Sequence, residues 1–201
     1  NGIGAATLLL TEYEEAQSCL VECLALCREL GDRNAIARAI NLLGEIARRQ
    51  GDYATAQSYY QEALSIFKEI GVQQGVAALL DNLGHMVVAQ GDYTTAESYY
   101  HEAIQVAMTI GAVPVALESL AGLAGIAAHV GQAQRALELI GLVLHHQSLD
   151  SDAKLIIKPI LADLRAKLPP DVVETAMERG KSLELETVVA ELLEEASDDR
   201  T

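Results

Sequence analysis

Three arginines lie close together in a strongly acidic chain. The sequence has 29 acidic and 14 basic residues and a net charge of −15, yet Arg38, Arg48 and Arg49 share one helical face with Asn41 and Glu45. Arginine presents planar donors that match a carboxylate or a phosphate, so the cluster predicts binding of an anionic group. Glu45 and Arg49, four residues apart, could instead form an ordinary surface pair, and both interpretations remain open here.

The cysteines form a second group with chemical potential. Cys19, Cys23 and Cys27 recur every four residues, so they lie on one side of a helix. Structural zinc takes four ligands, and no histidine or fourth ligand is near in sequence. Ala63 and Phe67 stand 40 residues after Cys23 and Cys27, which predicts small buried hydrophobes there. No metal ion or other cofactor is expected.

Other functional classes are disfavoured by what the sequence lacks. It contains no P-loop, nucleophile elbow or metalloprotease pattern, so no catalytic residue is assigned and the chain is not expected to be an enzyme. The negative charge argues against binding nucleic acid or an anionic membrane surface. No apolar run reaches about 18 residues, the length of a membrane helix. An odd number of cysteines favours a reducing compartment, and a cytoplasmic location is expected.

The elements that position these residues are repeats. Two segments 40 residues apart have closely similar sequences: LLGEIARRQGDYATAQSYYQEAL at 42–64 and NLGHMVVAQGDYTTAESYYHEAI at 82–104. A fixed period of this length is typical of stacked helical repeats. Apolar residues within each half recur every three or four positions, which indicates helices. The 40-residue period is marked by two series of glycines: Gly31, Gly71 and Gly111, and Gly51, Gly91 and Gly131.

The turns between the helices have a recognisable chemistry. Gly51 and Gly91 can adopt the left-handed conformation that ends a helix, and Asp52 and Asp92 can cap the next one. Such short connections place successive helices antiparallel and in contact. The sequence predicts helices over 1–10, 12–30, 33–50, 53–70, 73–90, 93–110, 113–130 and 133–147, then over 152–167, 171–178 and 184–196.

Two tyrosine pairs resemble an aromatic cage at first sight. Tyr60 and Tyr100, however, occupy apolar columns of the repeat. We therefore expect them to be buried and to fill the space between neighbouring repeats. Tyr59 and Tyr99 are expected to be half-exposed.

The repeated residues resemble a tetratricopeptide repeat (TPR). The resemblance implies an all-α fold, a right-handed superhelical α-solenoid of antiparallel helix hairpins, in a variant with longer helices than the usual 34-residue repeat. We expect a partial first repeat and three further repeats over 1–147, followed by a C-terminal helical cap and acidic tail over 148–201. The matching residues are Ile40, Leu43, Gly44, Ala47, Gly51, Tyr53, Ala56, Tyr60 and Ala63, and again Leu80, Leu83, Gly84, Val87, Gly91, Tyr93, Ala96, Tyr100 and Ala103.

In TPR proteins the first helix of each repeat lines a concave groove. The resemblance therefore implies a protein or peptide partner, with a sensor for a short peptide or small effector as the alternative. The carboxylate clamp of chaperone-binding TPRs is absent, because Asn41-Glu45 and Asp81-His85 replace its Lys and Asn. The implied groove residues are Arg38, Asn41, Glu45, Arg48, Arg49, Asp81, His85, Glu118 and His129.

The tail resembles the C-terminal end of bacterial regulators of the LuxR-like and STAND ATPase type. The matching residues are Gly180, Lys181, Leu183, Leu185, Glu186 and Val189. The resemblance implies the regulatory arm of a longer signalling or transcriptional protein, whose upstream domains could be its partner.

The amino terminus aligns with the middle of a repeat. Asn1 corresponds to Asn41, which lies inside a first helix. We therefore expect a chain fragment whose N-terminal end lacks cover over Ile3 and over Leu8, Leu9 and Leu10. A homodimer through this end is the expected consequence.

Overall fold

The computed structural model describes the backbone of residues 2–198 and the side chains of residues 13–196. Over these residues it is all-α and built of helical repeats, as predicted. The chain divides into two compact units, Asn1–Asn82 and Leu83–Thr201, and α4 crosses from one to the other. The helices are α1 (Gly2–Leu30), α2 (Arg33–Arg49), α3 (Tyr53–Ile70), α4 (Gln73–Ala89), α5 (Tyr93–Thr109), α6 (Val113–His129), α7 (Ala133–His145), α8 (Ser151–Lys167), α9 (Pro170–Lys181) and α10 (Leu185–Asp198).

The predicted turn chemistry is confirmed. All six glycines of the two series have φ between 68° and 83°, a conformation that residues with a side chain seldom adopt. Asp52 caps α3 by accepting a hydrogen bond from the backbone N–H of Thr55 at 3.1 Å. Asp92 caps α5 by the same bond to Thr95. Each turn therefore ends one helix and starts the next within three residues.

The predicted break near residue 11 is wrong, because α1 runs without interruption from Gly2 to Leu30. The sequence has Thr11 where the later repeats have Gly51 and Gly91. A β-branched residue is disfavoured at positive φ, so the helix continues instead of turning. The expected dimer surface at Ile3 and Leu8–Leu10 lies outside the side chains that the structure describes.

The unbroken α1 changes the environment of the cysteines. Cys23 was predicted to be buried, but it is exposed, whereas Cys27 is buried. The equivalent Ala63 is fully buried because α3 packs as one half of a hairpin with α2. Helix α1 packs on α2, but its two predicted halves form one continuous helix and so do not fold back on each other as α2 and α3 do.

The buried tyrosines pack against glycines. Tyr100 has no exposed surface and its ring lies between Gly84 and Gly122, where an added Cβ would approach ring carbons to 2.5 and 2.4 Å. Tyr60 packs in the same way on Gly44. Both tyrosines are buried as predicted, and Tyr100 fills the space between neighbouring helices of its unit.

The C-terminal helices pack on the repeat helices of the second unit. Helix α8 lies against α6, where Ile160 approaches Gly125. Helix α9 crosses α7 at Gly141 and Gly180, and a Cβ on Gly180 would lie 2.0 Å from the backbone oxygen of Glu138. Helix α10 packs on α5. The sequence predicted that the helix ends before Gly180; instead Gly180 lies within α9, at its contact with α7.

Candidate functional site

Glu45 binds two of the three clustered arginines. Its carboxylate accepts hydrogen bonds from Arg48 at 2.8 and 2.7 Å, from Arg49 at 2.6 Å and from the hydroxyl of Tyr60 at 2.9 Å. Burial alone would raise the pKa of Glu45, but the hydrogen bonds and charge of Arg48, with the bonds from Arg49 and Tyr60, lower it to about 2. The same bonds raise the pKa of Arg48 and Arg49. These two guanidiniums are therefore occupied within the hairpin.

Arg38 is in a different situation. Its side chain is exposed, and among the described residues the guanidinium has no hydrogen-bond or ion-pair partner. It borders a cavity of about 330 Å³ in the first unit, which we call the Arg38 site. The site contains one cation, three amides and no carboxylate. It is lined by Asn34, Arg38, Asn41, Phe67, Val72, Gln74, Gly75 and Ala78.

The Arg38 site is held open by contacts between α2, α3 and α4. Asn82 donates a hydrogen bond to the side-chain oxygen of Asn41 at 3.0 Å, which joins α2 to α4. The side-chain N–H donors of Asn41 have no partner among the described residues, so they are available to a ligand. Gly75 packs directly on the ring of Phe67, where an added Cβ would come within 2.6 Å. The site therefore combines an apolar floor with polar donors at its edge.

Sequence reasoning placed Arg38 and Asn41 in the groove but gave no role there to Asn34, Gln74 or Gly75. Asn34, Arg38 and Asn41 are spaced by four and three residues, a signal that places all three on one helical face. Gln74 and Gly75 belong to the next repeat, and the sequence shows no periodic sign of their approach to Phe67. Their role depends on the packing of α4 against α3.

The remaining predicted groove residues have other surroundings. Asp81 is buried in the first unit and Glu118 is half-buried in the second. In the second unit, His85 shares a 2.8 Å hydrogen bond between its Nδ1 and the hydroxyl of Tyr100. His129 is exposed and stacks on Tyr93 with ring centroids 4.2 Å apart. Each histidine ring therefore contacts a tyrosine.

Within the described part of the chain, no three His, Cys, Asp or Glu side chains come together in a way that could hold a metal ion. None of the described helices is both long enough and apolar enough to cross a bilayer.

Comparisons with known proteins agree on the type of fold. Models of the tetratricopeptide repeat family match residues 1–69 and 76–107, which together make up half of the chain. No curated protein matches the sequence significantly. The crystal structure of BtubC (BKLC) from P. vanneervenii is similar, with a TM-score of 0.63 at 21% identity, over 89% of this chain and 75% of that one. TPR units generally mediate contacts between proteins, and this chain is a member of the tetratricopeptide repeat family.

Proposed function

We propose that this chain is a non-catalytic interaction module that binds an acidic segment of a partner protein at the Arg38 site. The observation that carries the proposal is the guanidinium of Arg38, which has no partner among the described residues and borders a cavity lined by no carboxylate. An arginine without an acidic partner among the described residues is available to a ligand. A bidentate bond to a carboxylate is the strongest contact it can make.

The surroundings of Arg38 suggest how the segment would be held. Asn34, Asn41 and Gln74 supply amide groups for a peptide backbone, and the apolar floor at Phe67 accommodates a neighbouring side chain. The carboxylate could come from an Asp or Glu side chain or from a chain terminus.

In the cell, such a module would hold or release a signalling component. We place it in a bacterial signalling or transcriptional regulator, because its tail resembles the C-terminal end of such proteins. Its partner is then either a separate protein or another domain of the same regulator.

Peptide binding tests this proposal. Arrays of peptides with Asp, Glu or a free C-terminal carboxylate, each matched to its Asn, Gln or amidated form, would identify ligands for fluorescence anisotropy. We expect Arg38→Gln to weaken binding of the acidic peptide about tenfold or more, since a charge-assisted bond contributes about 1.5–3 kcal/mol. Rising salt should weaken it further.

Arg33→Gln is the matched control. Arg33 lies on the same helix, but its guanidinium is 2.6 Å from Glu69, so its replacement should leave affinity within about twofold. Equal binding of acidic and neutral peptides, or equal loss in both variants, would reject the assignment to Arg38.

A small anionic effector is the second candidate ligand. A cavity of about 330 Å³ is at the lower end of small-molecule sites, which favours this candidate. A screen of small carboxylates and phosphates by thermal shift, repeated with Arg38→Gln, distinguishes the two. A small-molecule hit that Arg38→Gln abolishes, in a chain that binds none of the acidic peptides, would support the sensor.

A further inference from the structure

Two thiols lie side by side on the first helix. The Sγ atoms of Cys23 and Cys27 are 3.9 Å apart. Cys23 is exposed, while Cys27 is buried beside it. The sequence assigned both to the core, so the exposure of Cys23 beside Cys27 emerges only from the structure.

The separation of the thiols matches the edge of a metal tetrahedron. Zinc binds thiolate at about 2.3 Å with tetrahedral geometry, which places two neighbouring sulfurs roughly 3.8 Å apart. Known zinc sites use pairs of ligands that lie four residues apart on one helical face. Cys23 and Cys27 therefore provide adjacent ligands with little change of conformation.

Within one chain the site is incomplete. Among the described residues, no third His, Cys, Asp or Glu joins this pair in a group that could hold a metal ion, whereas structural zinc takes four ligands. The same side of α1 exposes Leu26 to 59% and Leu30 to 82% of their surface. A second copy related by a twofold axis would supply two more thiols and cover these leucines at once.

We propose that α1 carries half of a zinc site, completed by Cys23 and Cys27 of a second copy of this chain. One Zn²⁺ would join two chains through four thiolates. Zinc binds the thiolate form, so the ion must displace the thiol protons, which coordinated zinc does readily. This inference is independent of the Arg38 site.

Zinc-dependent assembly of the reduced full chain is the test. With a non-chelating phosphine reductant and Zn²⁺ alone as ligand, we expect light scattering to show a doubling of mass and metal analysis to show one zinc per two chains. Co²⁺ in place of Zn²⁺ should give the visible absorption of a tetrahedral tetrathiolate site. EDTA should return the monomer.

Two variants and one control make the result specific. Cys23→Ser should abolish zinc uptake and assembly without affecting folding, because this side chain is exposed. Leu26→Glu should weaken assembly while leaving the thiols intact. Cys19→Ser should behave as the parent chain. A monomer with bound zinc, a dimer insensitive to EDTA, or loss of assembly in Cys19→Ser would each overturn the proposal.

Discussion

Glu45 bonds with Arg48, Arg49 and Tyr60 at distances of 2.6 to 2.9 Å. The link from Glu45 to Arg49 is visible in the sequence as an i,i+4 spacing. The bond to Tyr60 crosses from α2 to α3 over 15 residues, and no local pattern announces it. At the scale of single residues, sequence could name the candidates but could not separate the occupied arginines from Arg38.

The lowered pKa of Glu45 predicts a pH-dependent contribution to stability. A carboxyl whose pKa falls from about 4.5 to about 2 on folding stabilises the fold above pH 4.5, and this contribution is lost as pH falls toward 2. It amounts to at most about 3 kcal/mol. We expect Glu45→Gln to lower the free energy of unfolding at pH 7 by about 1–3 kcal/mol.

Urea denaturation at a series of pH values measures this difference. The gap between the parent chain and Glu45→Gln should narrow steadily as pH falls from 5 toward 2, because Glu45 takes up a proton in the unfolded chain while it remains ionised in the folded one. Glu69→Gln serves as the control, because the pair of Glu69 with Arg33 is more than half exposed and contributes little. A gap that is constant with pH would contradict the role assigned to Glu45.

Among the helices, the regular ones were predictable because their ends depend on local chemistry. Glycines at positive φ and aspartate caps fix most boundaries of α2 to α7 within a residue or two. The predicted break near Thr11 was wrong because it assumed the turn of the later repeats, whose glycine adopts a positive φ that a β-branched residue disfavours. The predicted end of α9 was wrong because Gly180 does not end the helix; it allows the close crossing with α7.

The crossing of α7 and α9 predicts that alanine is tolerated less well at Gly180 than at Gly125. Gly180→Ala would place a Cβ 2.0 Å from a backbone oxygen of α7, and backbone yields poorly. We expect a loss of about 3 kcal/mol or more in thermal or urea denaturation. Gly125→Ala would meet only the end of the Ile160 side chain at 3.2 Å and should cost less than about 1 kcal/mol. Equal losses would argue against backbone contact at this crossing.

At the scale of the whole molecule, the chain contains two compact units, and the tail belongs to the second. The sequence placed a boundary near residue 147, where the repeats stop, and that boundary remains a prediction. Composition could not reveal how α8, α9 and α10 pack on α6, α7 and α5, because such contacts join residues that are far apart along the chain.

The packing of α10 on α5 predicts local rather than uniform damage. Val188 is 1% exposed, so Val188→Asp would bury a charge and destabilise this contact by about 3 kcal/mol or more. Hydrogen exchange should then accelerate in α5 and α10, while amides of α2 and α3 keep their protection. Thr187→Asp, on the exposed side of α10, is the control. Equal acceleration in α2 would show that the two units unfold together.

The ring of Tyr100 between Gly84 and Gly122 limits how this chain can be re-engineered. Gly84 belongs to the same hairpin as the tyrosine, but Gly122 belongs to the next one, so a hairpin cannot be duplicated or exchanged alone. The position equivalent to Gly122 in the preceding repeat is Asn82, which serves instead in the bond to Asn41. Modular shuffling of these repeats must therefore move a tyrosine together with the glycine that follows it in the next hairpin.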